Sequence, residues 1–205
     1  MHLEILNKDQ LNLLPFLAKF KREYYLVGGT AVALHIGHRL SIDFDLFKIG
    51  SIKPKSIFSK FDATKEAFKI TLNREGQLNL ICRNVKFTFL NFDYEVPHAL
   101  IVQKAISIPT LLDLAAMKAF ALGRRSKWKD YVDLYFIIKD YYTVNIISNR
   151  AAEIFGDMFS EKLFREQLSY FKGISFEEEI EFMPGFEVPE NLVKEFLVSA
   201  SLAGF

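Results

Sequence analysis

Apolar residues in the first part of the chain recur at helical spacing in some segments and alternate with polar residues in others. Helical spacing indicates one buried helix face, and alternation indicates a strand with one buried face. Thr30, near the start of one helical segment, and Gly37, directly after it, support a short helix. The predicted elements are, in order, a helix at Lys8–Phe20, a strand at Tyr24–Val27, a helix at Thr30–Ile36, a strand at Leu40–Phe47 and a helix within Ser51–Ala67.

The remainder of the chain divides into a strand-rich segment and a helical segment. Three strand-like runs separated by turn signals predict an antiparallel meander at Phe68–Asn73, Gln77–Cys82 and Val85–Leu90. After Pro109 helical spacing predicts helices at Leu111–Leu122, Lys127–Asp140, within Ile146–Tyr170 and at Glu190–Leu202. The pattern predicts an α+β protein, with a mixed sheet lobe at 1–105 followed by a helical lobe at 106–205.

The composition mainly excludes certain features and locations of the protein. The chain has 205 residues and a net charge of +1, so no global field draws it to nucleic acid or membrane. The single cysteine, Cys82, excludes an intramolecular disulfide. The start, MHLEILNKDQ, does not resemble a signal peptide, and no apolar run has the length of a membrane span. We therefore expect a cytoplasmic protein without a membrane partner.

The stretch from Gly28 to Asp45 (GGTAVALHIGHRLSIDFD) combines two features that suit nucleotide chemistry. Alternation places Asp43 and Asp45 on one face of the predicted strand, about 6.6–7 Å apart, with Ile42 on the opposite, apolar face. Paired carboxylates are ligands that Mg²⁺ accepts together with substrate phosphates. Glycines before a helix let the backbone approach a phosphate, and the helix start offers free N–H groups to it. Alternatively, the aspartates lie on a solvated face, but their joint occurrence with the glycines favours a site.

The same stretch resembles the first motif of the polymerase-β-like nucleotidyltransferase superfamily. More narrowly, it is similar to that of the AbiEii/AbiGii toxin family of nucleotidyltransferases. A second stretch, Leu112–Leu134 (LDLAAMKAFALGRRSKWKDYVDL), resembles that family's motif with a lysine, an arginine-rich break and a later aspartate. The resemblance extends roughly from Tyr24 to Ile138.

The resemblance implies a polymerase-β-like fold and an enzyme that transfers NMP from an NTP to an acceptor hydroxyl. Relatives are toxins of toxin–antitoxin pairs, and some add nucleotides to tRNA ends, so tRNA or other RNA and a cognate antitoxin are the expected partners. The implied residues are Asp43 and Asp45 for Mg²⁺ or Mn²⁺, Gly28, Gly29, Thr30 and Ser41 for the nucleotide, Lys118 for phosphate, and Asp133 as a further member of the active centre.

The second motif requires a chain reversal. Lys118 and Asp133 would be about 22 Å apart on one straight helix, but a corner at Gly123–Ser126 would leave them roughly 6 Å and 9 Å from it on adjacent helices. Gly123 suits the end of the first helix and Ser126 the N-cap of the second. Without the motif, a lysine reaching out of a half-buried helix is the commoner interpretation of Lys118.

Two further features leave alternatives open. A basic-aromatic cluster suits either RNA contact or a solvated helix corner; it comprises Arg124, Arg125, Lys127 and Lys129, with Trp128 and Tyr131 among them. Polymerase-β-like enzymes usually carry a third carboxylate on a neighbouring strand, where this chain has Thr88; Asp133 is a substitute to consider. The alternatives to RNA modification are therefore a catalytically impaired nucleotide- or protein-binding homologue and a small-molecule nucleotidyltransferase.

Overall fold

The chain folds into an α+β structure in which a five-stranded sheet is followed by a set of helices. This computed structural model describes residues 1–122, 124–125 and 127–204. The strands are β1 (Tyr25–Val27), β2 (Asp43–Lys48), β3 (Phe68–Arg74), β4 (Gln77–Cys82), β5 (Val85–Asn91), β6 (Leu100–Val102) and β7 (Ile106–Ile108). The helices are α1 (Lys8–Leu17), α2 (Gly28–Ile36), α3 (Pro54–Asp62), α4 (Leu111–Leu122), α5 (Trp128–Asp140), α6 (Val144–Phe155), α7 (Glu161–Leu168) and α8 (Glu190–Leu202).

The sheet is mixed, with the strand order β1-β2-β5-β4-β3. Strands β2 and β5 are parallel, whereas the other neighbouring pairs are antiparallel. The predicted meander of β3, β4 and β5 is confirmed. In the parallel register Asp43 lies beside Lys86, and Asp45 lies beside Thr88. Strands β2 and β5 therefore place these four polar side chains on one face.

The opposite face of the sheet is apolar and buried. Phe44 and Leu46 of β2 and Phe87 and Phe89 of β5 are fully buried. The ring of Phe61 in α3 packs edge-on against Phe87, with centroids 5.1 Å apart. Because this face supplies the core, the polar face is left free to form a cavity wall.

The strand predicted from Leu40 begins only at Asp43, so its first part is a correction. Ile42, predicted on the buried face, is 53% exposed. The backbone before β2 pairs elsewhere: Leu40 N–H donates to the carbonyl of Glu181 at 2.8 Å, and Met183 N–H donates to the carbonyl of His38 at 3.0 Å. Because of these contacts, the pairing of this segment with β5 begins only at Asp43.

The helical part surrounds the start of α2. Helix α2 packs against α4 and α5 and begins at Gly28, two residues before its predicted start. Helices α4 and α8 have the predicted bounds, and α1 ends at Leu17 rather than Phe20. The region predicted helical from 146 to 170 corresponds to two helices, of which α6 begins at Val144, before the predicted start, and α7 ends at Leu168. The packing places the first turn of α2 between the sheet and the helices.

A short hairpin of β6 and β7 was not predicted. It crosses the predicted boundary between residues 105 and 106, and the division into two lobes stays a prediction. In the described part of the chain, each helix is too short or too polar to cross a membrane.

Candidate active site

A polar cavity of about 350 Å³ lies between the open face of the sheet and the helices. Many of the predicted site residues from separate parts of the sequence meet on its walls. These residues are Gly28, Gly29, Ser41, Asp43, Asp45, Lys118, Arg125, Lys127 and Lys129. Three predicted site residues lie outside its lining, namely Thr30, Asp133 and Arg124.

The acidic pair lies on the sheet wall of the polar cavity, on one face of β2. Burial raises the pKa of the Asp43 carboxyl, and burial together with the neighbouring charge of Asp43 raises the pKa of Asp45. Positive charge is weakly placed against them, since Lys86 Nζ lies 4.0 Å from Asp43. The charge of Arg125, followed by a hydrogen bond from the Thr88 hydroxyl, partly offsets the rise of the Asp45 pKa. The pair therefore forms a partly compensated negative centre.

These donors fit a divalent cation. Hard cations such as Mg²⁺ bind one or two carboxylates and complete their shell with water and substrate phosphates. Among the described residues, no group of three or more histidine, cysteine, aspartate or glutamate side chains is placed to hold a metal ion. The two carboxylates of Asp43 and Asp45 therefore match a cation that is shared with its substrate.

The glycine pair allows α2 to start directly against the acidic pair. Gly28 has φ +72°, and a Cβ placed there would overlap the carboxylate of Asp45. A Cβ on Gly29 would overlap the guanidinium of Arg39. Absence of both side chains opens the backbone N–H groups of the α2 start to the polar cavity, where the helix dipole favours an anion.

Gly28→Ala is expected to lower the free energy of unfolding by more than the ~1–2 kcal/mol that positive φ alone costs an L-residue. The added methyl group would also displace Asp45, so stabilisation of the protein by Mg²⁺ and NTP should be lost. Gly50→Ala is the matched control, because Gly50 has φ +81° but open space around a Cβ. Thermal unfolding with and without ligand would measure both effects. Equal melting temperatures for the two variants would contradict the role of the Gly28–Asp45 contact.

The position of Thr30 corrects a predicted contact. Thr30 is 1% exposed, and its hydroxyl donates to the carbonyl of Asp43. Its Oγ1 also lies 2.8 Å from Oγ of Ser41. Thr30 therefore joins the start of β2 to α2 and lies outside the lining of the polar cavity, whereas Ser41 is part of that lining.

Behind the wall of the polar cavity lies a buried charge network centred on Asp133. Asp133 is fully buried and accepts hydrogen bonds from Arg39 Nε at 2.7 Å and Arg39 Nη2 at 2.9 Å. Its other partners are His38 Nε2 at 2.7 Å and Lys118 Nζ at 2.5 Å. Burial alone would raise the pKa of Asp133, but Arg39 and Lys118 outweigh it and hold the pKa well below its usual range. The predicted proximity of Lys118 and Asp133 is confirmed.

This arrangement specifies where Asp133 lies in the predicted active centre. Its oxygens are bonded to His38, Arg39 and Lys118 behind the cavity lining, so Asp133 orients Arg39 and Lys118, which both line the polar cavity. Asp130, one turn earlier, lines the cavity and contacts Lys118 Nζ at 2.5 Å. Lys118 is 5% exposed, so the interpretation as a lysine reaching into solvent is wrong. The predicted caps at Gly123 and Ser126 lie outside the described residues.

Basic side chains of the predicted cluster form ion pairs with two different acidic residues. Arg125 Nε lies 3.2 Å from Asp130 Oδ2, and Lys127 and Lys129 both pair with Glu178, the latter at 3.6 Å. The aromatic members do not offer stacking surfaces: Trp128 is 8% exposed and Tyr131 is buried. Any RNA contact of this cluster therefore depends on its charges.

Sequence reasoning missed several residues on this wall. Arg39 lies in the quoted motif but was assigned no role, although it is buried and anchors Asp133. Lys86 could have been found, because it shares the predicted strand face of Thr88. Glu178 enters the polar cavity from a loop distant in sequence, and no local signal marked it.

The fold is similar to that of solved structures described as nucleotidyltransferases. MenT4, a nucleotidyltransferase toxin of Mycobacterium tuberculosis H37Rv, aligns over 95% of this chain and 81% of its own with a TM-score of 0.61 and 13% identity. JHP933 of Helicobacter pylori aligns over 96% of this chain and 91% of its own with a TM-score of 0.55 and 13% identity.

By sequence, this chain is 32% identical over 128 residues to the uncharacterized protein aq_aa25 of Aquifex aeolicus (strain VF5). That match spans 58% of this chain and 59% of the relative, so the chain matches less than two thirds of the relative's length. No protein-family model matches the sequence.

Proposed function

We propose that this protein is a Mg²⁺-dependent nucleotidyltransferase that transfers NMP from an NTP to an acceptor hydroxyl. The observation that carries the proposal is the meeting of an acidic pair, an open helix start and Lys118 in one polar cavity. In the reaction, an acceptor oxygen bonds to the α-phosphorus, the bond from that phosphorus to the β-phosphate oxygen breaks, and pyrophosphate leaves with release of the acceptor proton.

The residues have distinct roles in this proposal. Asp43 and Asp45 would hold a divalent cation, which supplies positive charge to the reacting phosphates. The α2 start at Gly28 and Gly29 donates N–H groups to phosphate, and Lys118 adds positive charge opposite the sheet. Because Asp133 and Asp130 hold Lys118 in place, its charge is already oriented when substrate enters.

The acceptor class is part of the proposal. Resemblance to the AbiEii/AbiGii family and the shared fold of the MenT4 toxin favour a toxin acting on tRNA or other RNA, restrained by a cognate antitoxin. Arg125, Lys127 and Lys129 add positive charge to the cavity rim and suit a polyanionic acceptor.

One observation favours a second candidate function. Thr88 occupies the register position beside Asp45 where a third carboxylate is expected. A chain with two carboxylates would still bind Mg²⁺ and NTP, so the second candidate is a nucleotide-binding homologue with impaired catalysis.

A transfer assay separates these functions. Purified protein is incubated with Mg²⁺, each of the NTPs labelled in the α-phosphate, and either total tRNA or an aminoglycoside. We expect label on tRNA, and we expect Asp43→Ala to lower it at least about a hundredfold because a metal ligand is lost. Asp93→Ala, at an exposed position after β5, is the control and should retain transfer. Equal labelling by wild type and Asp43→Ala would contradict the site; NTP binding without labelling of either acceptor would favour the second candidate.

A further inference from the structure

A second, largely apolar cavity of about 260 Å³ adjoins the polar cavity. It lies between the far ends of β2 and β5 and the side of α4. Its apolar walls are Phe47, Leu90, Phe92, Leu114, Met117 and Phe120. A soluble protein seldom keeps such a concave apolar surface next to a polar site without a ligand that uses both.

The apolar cavity and the polar cavity share part of their lining. Gly28, Lys118 and Arg125 contribute to both, as do Phe47 and Leu90. One ligand can therefore extend from one cavity to the other across the start of α2.

The chemistry of the sheet face changes in one direction along this path. Along β2 the same face carries Asp43, Asp45 and then Phe47. Along the parallel strand β5 it carries Thr88 and then Leu90. Each step of two residues covers about 6.6 Å. The face thus passes from groups that bind cations and phosphates to groups that bind apolar surface within about one strand step.

A flat cationic group completes the wall of the apolar cavity. The guanidinium carbon of Arg124 lies 3.6 Å from the ring centroid of Phe120. Phe120 in turn stacks on Phe155 with ring centroids 3.9 Å apart and an interplanar angle of 12°. Arg124 Nη1 donates to the carbonyl of Phe120 at 3.0 Å, which holds the guanidinium in this stack. Such a stack suits a planar aromatic ligand with polar edges.

We infer that the apolar cavity is the subsite for the nucleobase of the NTP, an inference that rests on the proposed function. A nucleotide has a polyanionic end and a flat, weakly polar end, joined by a ribose. The order of groups along β2 matches this molecule, with the α-phosphate at Asp45 and the base beyond it at Phe47. An aliphatic ligand would form no polar contact with Lys118 and Arg125, which line both cavities.

The test fills the cavity and compares two ligands. Ala121 lines the apolar cavity and not the polar cavity, so Ala121→Phe would occupy the base subsite without touching the phosphate site. Binding of ATP and of inorganic tripolyphosphate, each with Mg²⁺, is measured by calorimetry. Ala121→Phe should weaken ATP binding by at least about tenfold and leave tripolyphosphate binding unchanged. Ala152→Phe, at an exposed position of α6, is the matched control and should bind both ligands as wild type does.

The outcomes separate this inference from the proposed function. Unchanged ATP binding in folded Ala121→Phe would overturn the base subsite, and weakened binding of an RNA oligonucleotide alone would assign the cavity to the acceptor instead. If Ala121→Phe does not fold, wild type decides: ATP must bind more tightly than tripolyphosphate, and equal affinities would overturn the subsite. Failure of wild type to bind either ligand would contradict the proposed function itself.

Discussion

Replacing Asp45 by asparagine is expected to abolish nucleotide transfer and to stabilise the metal-free protein. Activity should fall at least about a hundredfold because one of the two metal-binding carboxylates is lost. Stability should rise because burial and the charge of Asp43 raise the pKa of Asp45, so its ionised form is disfavoured in the folded state. The gain should be measurable at neutral pH, and each unit of difference between the folded and unfolded pKa would contribute about 1.4 kcal/mol.

The raised pKa of Asp45 also predicts how the stability difference between variant and wild type changes with pH. The carboxyl of Asp45 has a raised pKa in the folded protein, so the wild type takes up its proton as the pH falls through that value. The stability difference between Asp45→Asn and wild type should therefore be largest at neutral pH and should vanish as the pH falls below the pKa of an unfolded aspartate.

Urea unfolding in the presence of EDTA at several pH values measures this difference, and Asp93→Asn is the exposed control. Added Mg²⁺ should stabilise the wild type and leave Asp45→Asn unchanged. A variant that loses stability in EDTA would show that Asp45 is a structural rather than a functional carboxylate.

Asp133→Ala is expected to have the opposite effect on stability and to lower the free energy of unfolding by about 3–5 kcal/mol. The reason is that removal of this carboxylate leaves Arg39 and Lys118 buried with less negative charge around them. Lys118 keeps its contact with Asp130, whereas Arg39 loses two hydrogen bonds to its carboxylate partner.

Asp140→Ala provides the control on the same helix, because Asp140 is exposed at the end of α5. Chemical unfolding compares the two variants with wild type. If Asp133→Ala lost less than about 1 kcal/mol, as exposed ion pairs do, the buried network would not be a stabilising unit. A stable Asp133→Ala with unchanged transfer would also contradict its role in positioning Lys118.

The contrast between Asp45 and Asp133 separates function from stability in this fold. Both carboxylates lie inside the protein, but Asp133 forms ion pairs with Arg39 and Lys118, whereas the charges of Arg125 and Lys86 offset the burial of Asp45 only in part. Asp45 keeps a raised pKa and faces a cavity, which is the environment expected for a group whose partner arrives with the substrate.

Much of the candidate site could be predicted because it is encoded locally. Strand alternation placed Asp43 and Asp45 on one face, and the glycines marked the start of α2. The proximity of Lys118 and Asp133 was implied by the resemblance to the family's second motif, and helix geometry allowed it once a reversal was assumed. Each of these predictions depends on residues in the same or adjacent elements.

The errors occur where distant segments compete for the same backbone or side chain. Ile42 is exposed because residues near Glu181 pair with the chain before β2. Thr30 is turned away from the cavity because its hydroxyl donates a hydrogen bond to the carbonyl of Asp43. Glu178 reaches Lys127 and Lys129 across a large sequence separation. No periodicity in the sequence reports such pairings.

The sequence by itself therefore determined the α+β class, the strand that carries the acidic pair and the helices that carry Lys118 and Asp133. Short-range sterics and hydrophobic periodicity are enough for these features. Only the tertiary structure decided which charges are compensated, which of Asp130 and Asp133 meets the polar cavity, and that an apolar cavity continues from it. Burial and the distance between charges set these properties, and both arise only when segments far apart in sequence pack together.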